Sequence, residues 1–175
     1  NKSTLSKNDV LDWIDYIEIS EVNRGKIGNI VRYERGTEPS RAKRIIQHGD
    51  IILSTVRPDR GAFFLALFPE KTFIVSTGFA VITAEKVPHH FLYIFLTQNE
   101  MLEFYGQMAD GGAYPAITPS IILEKELFIP DYLTLDKFRI IAEPVFERIH
   151  LNNLQSRTLT ALRDALLPRL MRGEV

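Results

Sequence analysis

The sequence predicts an α+β fold in two parts, on three observations. Through about residue 130, short segments rich in β-branched and aromatic residues alternate with Gly, Pro, Asp and Ser punctuation, as strands and turns do. Between residues 88 and 108, apolar residues recur at three- and four-residue steps, the spacing of an amphipathic helix. From Thr134 onward that helical period takes over. The expected architecture is a mixed-sheet domain, about residues 1 to 132, followed by a long helical region, about residues 133 to 175.

The strand segments are residues 16–19, 43–47, 50–56, 62–68, 73–75 and 79–83. Phe91, Leu92, Phe95, Leu96, Met101, Leu102 and Tyr105 form the stripe of one helix, with Pro88 tolerable in its first turn. Residues 109–115 hold too much Gly and Pro for regular structure and read as a loop, after which residues 121–129 read as one or two short strands. In the last region Phe138, Ile141, Val145, Ile149, Leu159, Leu162 and Leu166 follow coiled-coil-like steps, while Asn152, Gln155 and Ser156 make the middle of the stripe polar. Pro144 should kink that helix or end a first piece, because it removes one hydrogen bond and clashes with the preceding turn. A continuous helix over residues 136–167 would be roughly 48 Å long. It could fold back on its own sheet, but its narrow, centrally polar stripe favours a projecting arm that pairs with another helix.

With 175 residues and 45% hydrophobic content, the chain can bury a real core. It has no cysteine, and His48, His89, His90 and His150 lack ligand spacing, so neither a disulfide framework nor a structural metal is expected. Its apolar runs are far shorter than the roughly 20 residues of a membrane span, and the first residues lack a signal-peptide core. A soluble cytoplasmic protein is the expectation.

A formal net charge of −1 conceals an asymmetry. Residues 1–22 are acidic, whereas residues 23–60 hold nine Lys or Arg against Glu34, Glu38, Asp50 and Asp59. Such clustering is expected of a face that binds a polyanion. Arg57 and Arg60 follow an apolar strand into a turn, where an arginine fork could reach guanine edges or phosphates, or could simply pair with Asp59 and Asp50. Arg24, Lys26, Arg32, Tyr33, Arg41, Lys43 and Arg44 mix cations and polar groups in a way that suits phosphate positioning and base contact; the alternative is a solvated surface loop. Tyr114 either packs under the glycine-rich loop or stacks on a ligand.

No catalytic set can be assembled. The 111–115 loop lacks both phosphate-binding glycine spacings. Pro58-Asp59 has no correctly spaced Glu-x-Lys partner for a nuclease metal, and an adenine methyltransferase's cofactor turn and Pro-Pro-Tyr motif are missing. His89-His90 has no identifiable nucleophile beside it.

Three blocks, Gly49-Asp50-Ile51-Ile52-Leu53-Ser54-Thr55-Val56-Arg57-Pro58, Val75-Ser76-Thr77-Gly78-Phe79 and Gly111-Gly112-Ala113-Tyr114-Pro115-Ala116-Ile117, stand in that order ahead of the closing helical stretch over residues 158–174. Together they resemble the DNA-specificity subunit of type I restriction-modification systems, across nearly the whole chain. The resemblance implies a target-recognition domain followed by a conserved helix. It also implies recognition of one half of a bipartite double-stranded DNA site, and a methyltransferase subunit that carries S-adenosylmethionine while this chain holds no cofactor and performs no catalysis. A restriction subunit would join the complex. Complete subunits of this kind hold two recognition domains and two helices. This chain is therefore expected to be a half-length subunit that forms a homodimer, or the second half of a longer one. Under the competing expectation, a protein-binding adaptor whose helix recruits a partner, the basic residues would be spread evenly instead of gathering beside Arg57.

Overall fold

In the computed structural model, residues 1–6 and 9–174 are described; Lys7 of the acidic N-terminal segment lies outside them. A four-stranded mixed sheet has the order β4-β1-β8-β5, formed by β1 (Trp13–Ile17), β4 (Val31–Glu34), β5 (Ala42–Ile45) and β8 (Phe73–Ser76). Its one parallel pair joins β1 to β8, with Asp15 opposite Phe73. A three-stranded antiparallel sheet has the order β7-β6-β9, formed by β6 (Ile51–Ser54), β7 (Phe63–Leu65) and β9 (Phe79–Ile82).

Strand β6 explains how these layers stack. All four of its residues are buried, because both faces of its sheet are covered. Successive side chains alternate between faces. Ile52 joins Ile17, Val75 and Phe79 between the two sheets, while Ile51 and Leu53 join Leu96, Met101, Leu102 and Tyr105 beneath the helices. The far face of the larger sheet carries Ile14, Tyr16 and Ile74, with Leu5 over them.

The single helix expected over residues 88–108 is two, α1 (His89–Thr97) and α2 (Asn99–Met108), separated by Gln98 in extended conformation. The buried residues step from Leu96 to Met101, one residue more than a helical repeat allows, and the break restores the phase. The strands expected within residues 121–129 do not form. Pro119 opens a one-turn helix, α3 (Pro119–Ile122), and Phe128 beyond it is 86% exposed. The charges of Glu124, Lys125 and Glu126 suit solvent better than a buried ladder. Two elements escaped the apolar pattern. One is β4, where Arg32 lies opposite Asp15. The other is the small hairpin of β2 (Val22–Asn23) and β3 (Lys26–Ile27), turned by Arg24 and Gly25 with φ of 41° and 83°. A two-residue hairpin turn of this hand needs positive φ at both central positions.

The last helix, α4 (Tyr132–Met171), is 40 residues long, about 60 Å. Asp131 caps its start by accepting from the Thr134 amide at 3.1 Å. Pro144 neither ends it nor splits it in two. That proline is exposed, as is Ile140, whose carbonyl would have accepted the missing amide, so solvent can satisfy the freed oxygen. No helix is long and apolar enough to cross a membrane, among the described residues.

Candidate nucleic-acid interface

One end of the domain collects the strand-end turns into a single backbone-bonded surface. Leaving β6, Ser54 Oγ donates to the Val56 carbonyl at 2.7 Å, and the Thr55 amide and hydroxyl both donate to the Gly78 carbonyl, at 2.8 and 2.9 Å. The Ile117 amide donates to the Thr55 carbonyl at 2.9 Å, and the Arg57 amide to the Pro115 carbonyl at 2.7 Å. Residues 55–57 are thus clamped between the β8–β9 turn and the glycine-rich loop. Arg57 lies in the left-handed region, φ 46° and ψ 56°, which costs a non-glycine residue roughly 1–2 kcal/mol. The chain then makes a 3-10 turn, Pro58–Arg60, with Pro58 buried and Asp59 against α2, where a Cβ on Gly106 would come within 3.1 Å of the Asp59 Cβ.

Arg57 Nη2 donates to the Ala113 carbonyl at 2.6 Å, and its guanidinium lies 4.4 Å from the Tyr114 ring centroid. Tyr114 is 71% exposed, so packing beneath its loop, one of the two alternatives, does not occur. Arg60 is exposed beside them and has no ion pair among the described residues. Arg24 joins this surface because its amide donates to the Gly61 carbonyl at 2.7 Å and its Nη1 to Asn99 Oδ1 at 3.4 Å. Arg41 is exposed at the start of β5, and its carbonyl accepts from the Thr77 amide at 2.8 Å.

The other basic residues lie elsewhere. Arg32 is bound to Asp15 at 2.8 and 3.1 Å and lies over Trp13. Burial opposes ionisation of Asp15, but hydrogen bonds from Arg32 and Thr72 hold its carboxyl below the usual carboxylate range. Tyr33 packs edge-on against Tyr16. Lys43 and Arg44 lie on β5, at the sheet edge opposite β4, with Arg44 Nε buried. Lys26 lines a 390 Å³ cavity between the small hairpin and α4. The sequence cluster of nine cations therefore divides, and Arg24, Arg41, Arg57 and Arg60 gather at the end that also carries Tyr114. Thr55 and Thr77, which stand in two of the blocks singled out in the sequence, help fasten this surface together; sequence reasoning missed Asn99, whose distance from Arg24 along the chain gave no signal.

The helix residues also divide. Leu135 and Ala142 are buried; Phe138 packs on Phe91, and Phe146 on His90 and Tyr93. Ile141, Val145 and Ile149 are 70%, 51% and 48% exposed, and Asn152 is exposed. Neighbouring Asn153 donates to the Gly25 carbonyl at 3.4 Å. Leu159, Leu162 and Leu166 are 66%, 52% and 44% exposed. Four histidines dispersed in the sequence converge at the joint with α1. His48 and His89 are 5.4 Å apart, His89 and His90 4.0 Å, and Phe68 links His48 to His150.

No family model matches the chain. It is similar to the type I restriction enzyme HindI specificity subunit of Haemophilus influenzae, 34% identical over 132 residues, which is 73% of this chain and 29% of that protein. The type I restriction enzyme MjaIX specificity subunit of Methanocaldococcus jannaschii is 36% identical over 87 residues, 50% of this chain and 20% of that protein. Among solved structures, the HsdS subunit from Thermoanaerobacter tengcongensis superposes with a TM-score of 0.67 at 25% identity, covering 98% of this chain and 44% of that one. A structure described as underlying complex assembly and conformational transition of the type I restriction-modification system gives 0.66 at 24% identity, over 99% of this chain and 47% of that one; it speaks for the fold alone. The matched stretch is under a third of the curated relatives and under half of the solved ones. With sequence and fold likenesses falling on one family, the chain belongs to the specificity subunits of type I restriction enzymes, of which it spans one mixed-sheet domain and one long helix.

Proposed function

We propose that this chain recognises one half of a bipartite double-stranded DNA sequence within a type I restriction-modification complex. The observation that carries the reading is the strand-end surface, where Arg24, Arg41 and Arg60 stand on segments that backbone hydrogen bonds join, through residues 55–57, to the loop carrying the exposed Tyr114. Cations there would position phosphates, while the short polar and aromatic groups between them meet base edges. The domain over residues 1–132 acts as the reader, and residues 133–175 act as a spacer that pairs with a second such helix and sets the distance between half-sites. Paired by a two-fold axis, identical chains would read an interrupted palindrome. Catalysis belongs to partners in the cytoplasm: a methyltransferase subunit carrying S-adenosylmethionine, and a restriction subunit. The chain contributes specificity and no turnover.

The test is duplex binding across a salt series. Three phosphate contacts give a slope near −2.7 in log K against log salt, roughly a fortyfold loss between about 50 and 200 mM. Replacing Arg41 and Arg60 together by Ala should lower that slope by about two. Duplex binding that does not respond to salt, or a double variant with an unchanged slope, removes this surface from the interface.

A further inference from the structure

Arg57 looks like a base reader by sequence, since it is an arginine in a strand-end turn. Its geometry assigns it another task. The left-handed backbone at Arg57 directs its side chain across to the loop over residues 109–117. There Nη2 donates to the Ala113 carbonyl at 2.6 Å and the guanidinium covers one face of the Tyr114 ring at 4.4 Å. Its amide is also committed, to the Pro115 carbonyl at 2.7 Å. One residue therefore contacts three successive positions of the loop, through its amide, its fork and its cationic face.

The loop needs such a clamp. Gly111 has a φ of 109°, and a Cβ on Gly112 would meet nothing within 4 Å, so neither glycine stiffens the tip. At its base the segment is held by the isolated bridges of Ala116 to Val56 and to Asp110. Tyr114 stands at the tip, 71% exposed, with one face backed by Arg57 and its hydroxyl free of any hydrogen bond among the described residues. An aromatic ring held at low entropy cost, with an open face and a polar tip, is suited to meet a nucleic-acid groove.

We propose that Arg57 is a positioning residue and that Tyr114, which it holds, touches the duplex and sets a preference at one base position. This rests on the DNA-recognition reading above.

The experiment uses the 175-residue chain and a duplex selected with it from a randomised pool. Binding is measured over a salt series for the parent, Arg57→Asn, Tyr114→Ala and the double variant, with hydrogen exchange followed across residues 109–117. Asn tolerates the left-handed backbone but is too short to reach Ala113, so folding is preserved. Each single variant should bind the selected duplex five- to fiftyfold more weakly, with unchanged affinity for a scrambled one. The double variant should lose no more than either single one, because the two residues act as a unit. The salt slope should stay constant, and exchange should rise in the loop only for the variants lacking Arg57. A slope lowered by about one in Arg57→Asn, with loop exchange unchanged, would make Arg57 a direct phosphate contact and overturn the proposal. Unchanged affinity and preference in Tyr114→Ala would overturn it equally. Absence of salt-dependent duplex binding by the parent chain is a separate result, and it sinks the DNA-recognition reading itself.

Discussion

The two halves of α4 share one backbone and little else. Over residues 132–157 the helix has an inner face, where Leu135 and Ala142 are buried, Phe138 and Phe146 meet aromatic partners on α1, and His150 approaches Phe68. Over residues 158–171 every residue is exposed, including Leu159, Leu162, Leu166, Leu167, Leu170 and Met171. A free helix as short as this second half is marginal in water. Here it extends a turn already nucleated by the anchored half, so only propagation is required. Anchoring explains why the helix is long, while its outer leucines still lack a cover. Soluble monomers seldom expose a stripe of that kind.

The largest expected effect lies in the exposed half. If a second helix covers it, Leu159→Glu with Leu162→Glu should weaken association by about 4 kcal/mol, roughly a thousandfold, since two buried leucines are lost and two charges gained. Sedimentation should then show a monomer whose domain melts unchanged. A parent chain already monomeric at tens of micromolar would sink the pairing. Next comes the anchored half, where Phe146→Ala removes a ring shared by His90 and Tyr93 and should cost about 2–3 kcal/mol in chemical unfolding, because the ring is only partly buried. Pairing should persist. Equal losses of association in both variants would erase the distinction between the halves.

The smallest effect is the response to acid. His90 is 2% exposed, both its ring nitrogens are buried without partners, and burial, with the charge of His89 beside it, lowers its pKa to about 4 while Glu143 opposes the shift. Burial also lowers His89 and His150. The unfolded chain takes up these protons near pH 6.5 and the folded chain only near 4 for His90, so the stabilisation is complete above about pH 6.5 and lost as pH falls towards 4. Denaturation at pH 7 and pH 5 should differ by on the order of 1–2 kcal/mol, and His90→Phe should flatten the dependence. A parent curve flat over that range would mean that the joint stays accessible to protons.

The sequence made the strands legible where both faces are covered, because Ile51, Ile52 and Leu53 form an unbroken apolar run bounded by polar turns. It hid β4, since Arg32 and Glu34 look like surface charge until Asp15 is placed opposite Arg32. The phase slip between Leu96 and Met101 is present in the spacing, although the recurrence of apolar residues alone predicts one helix. Arg57 was legible as a turn residue, but its partner was not, because an arginine's reach depends on a backbone angle that residue type does not disclose. The helical stripe merged two faces: Phe138 turns inward while Ile141 turns out, and only the position of α1 separates them.

The parallel pairing of β1 with β8 also sets an order of events. Strand β1 finds β4 nearby in the chain, but its other neighbour, β8, lies roughly sixty residues downstream. Closing that loop is the expensive contact, and folding slows as such separations grow. While the chain is being synthesised, Ile14, Tyr16 and Ile17 must therefore wait, half-paired and apolar, until Ile74 and Val75 have emerged. During that interval β1 keeps an unpaired edge that is open to mispairing, long before the arm exists.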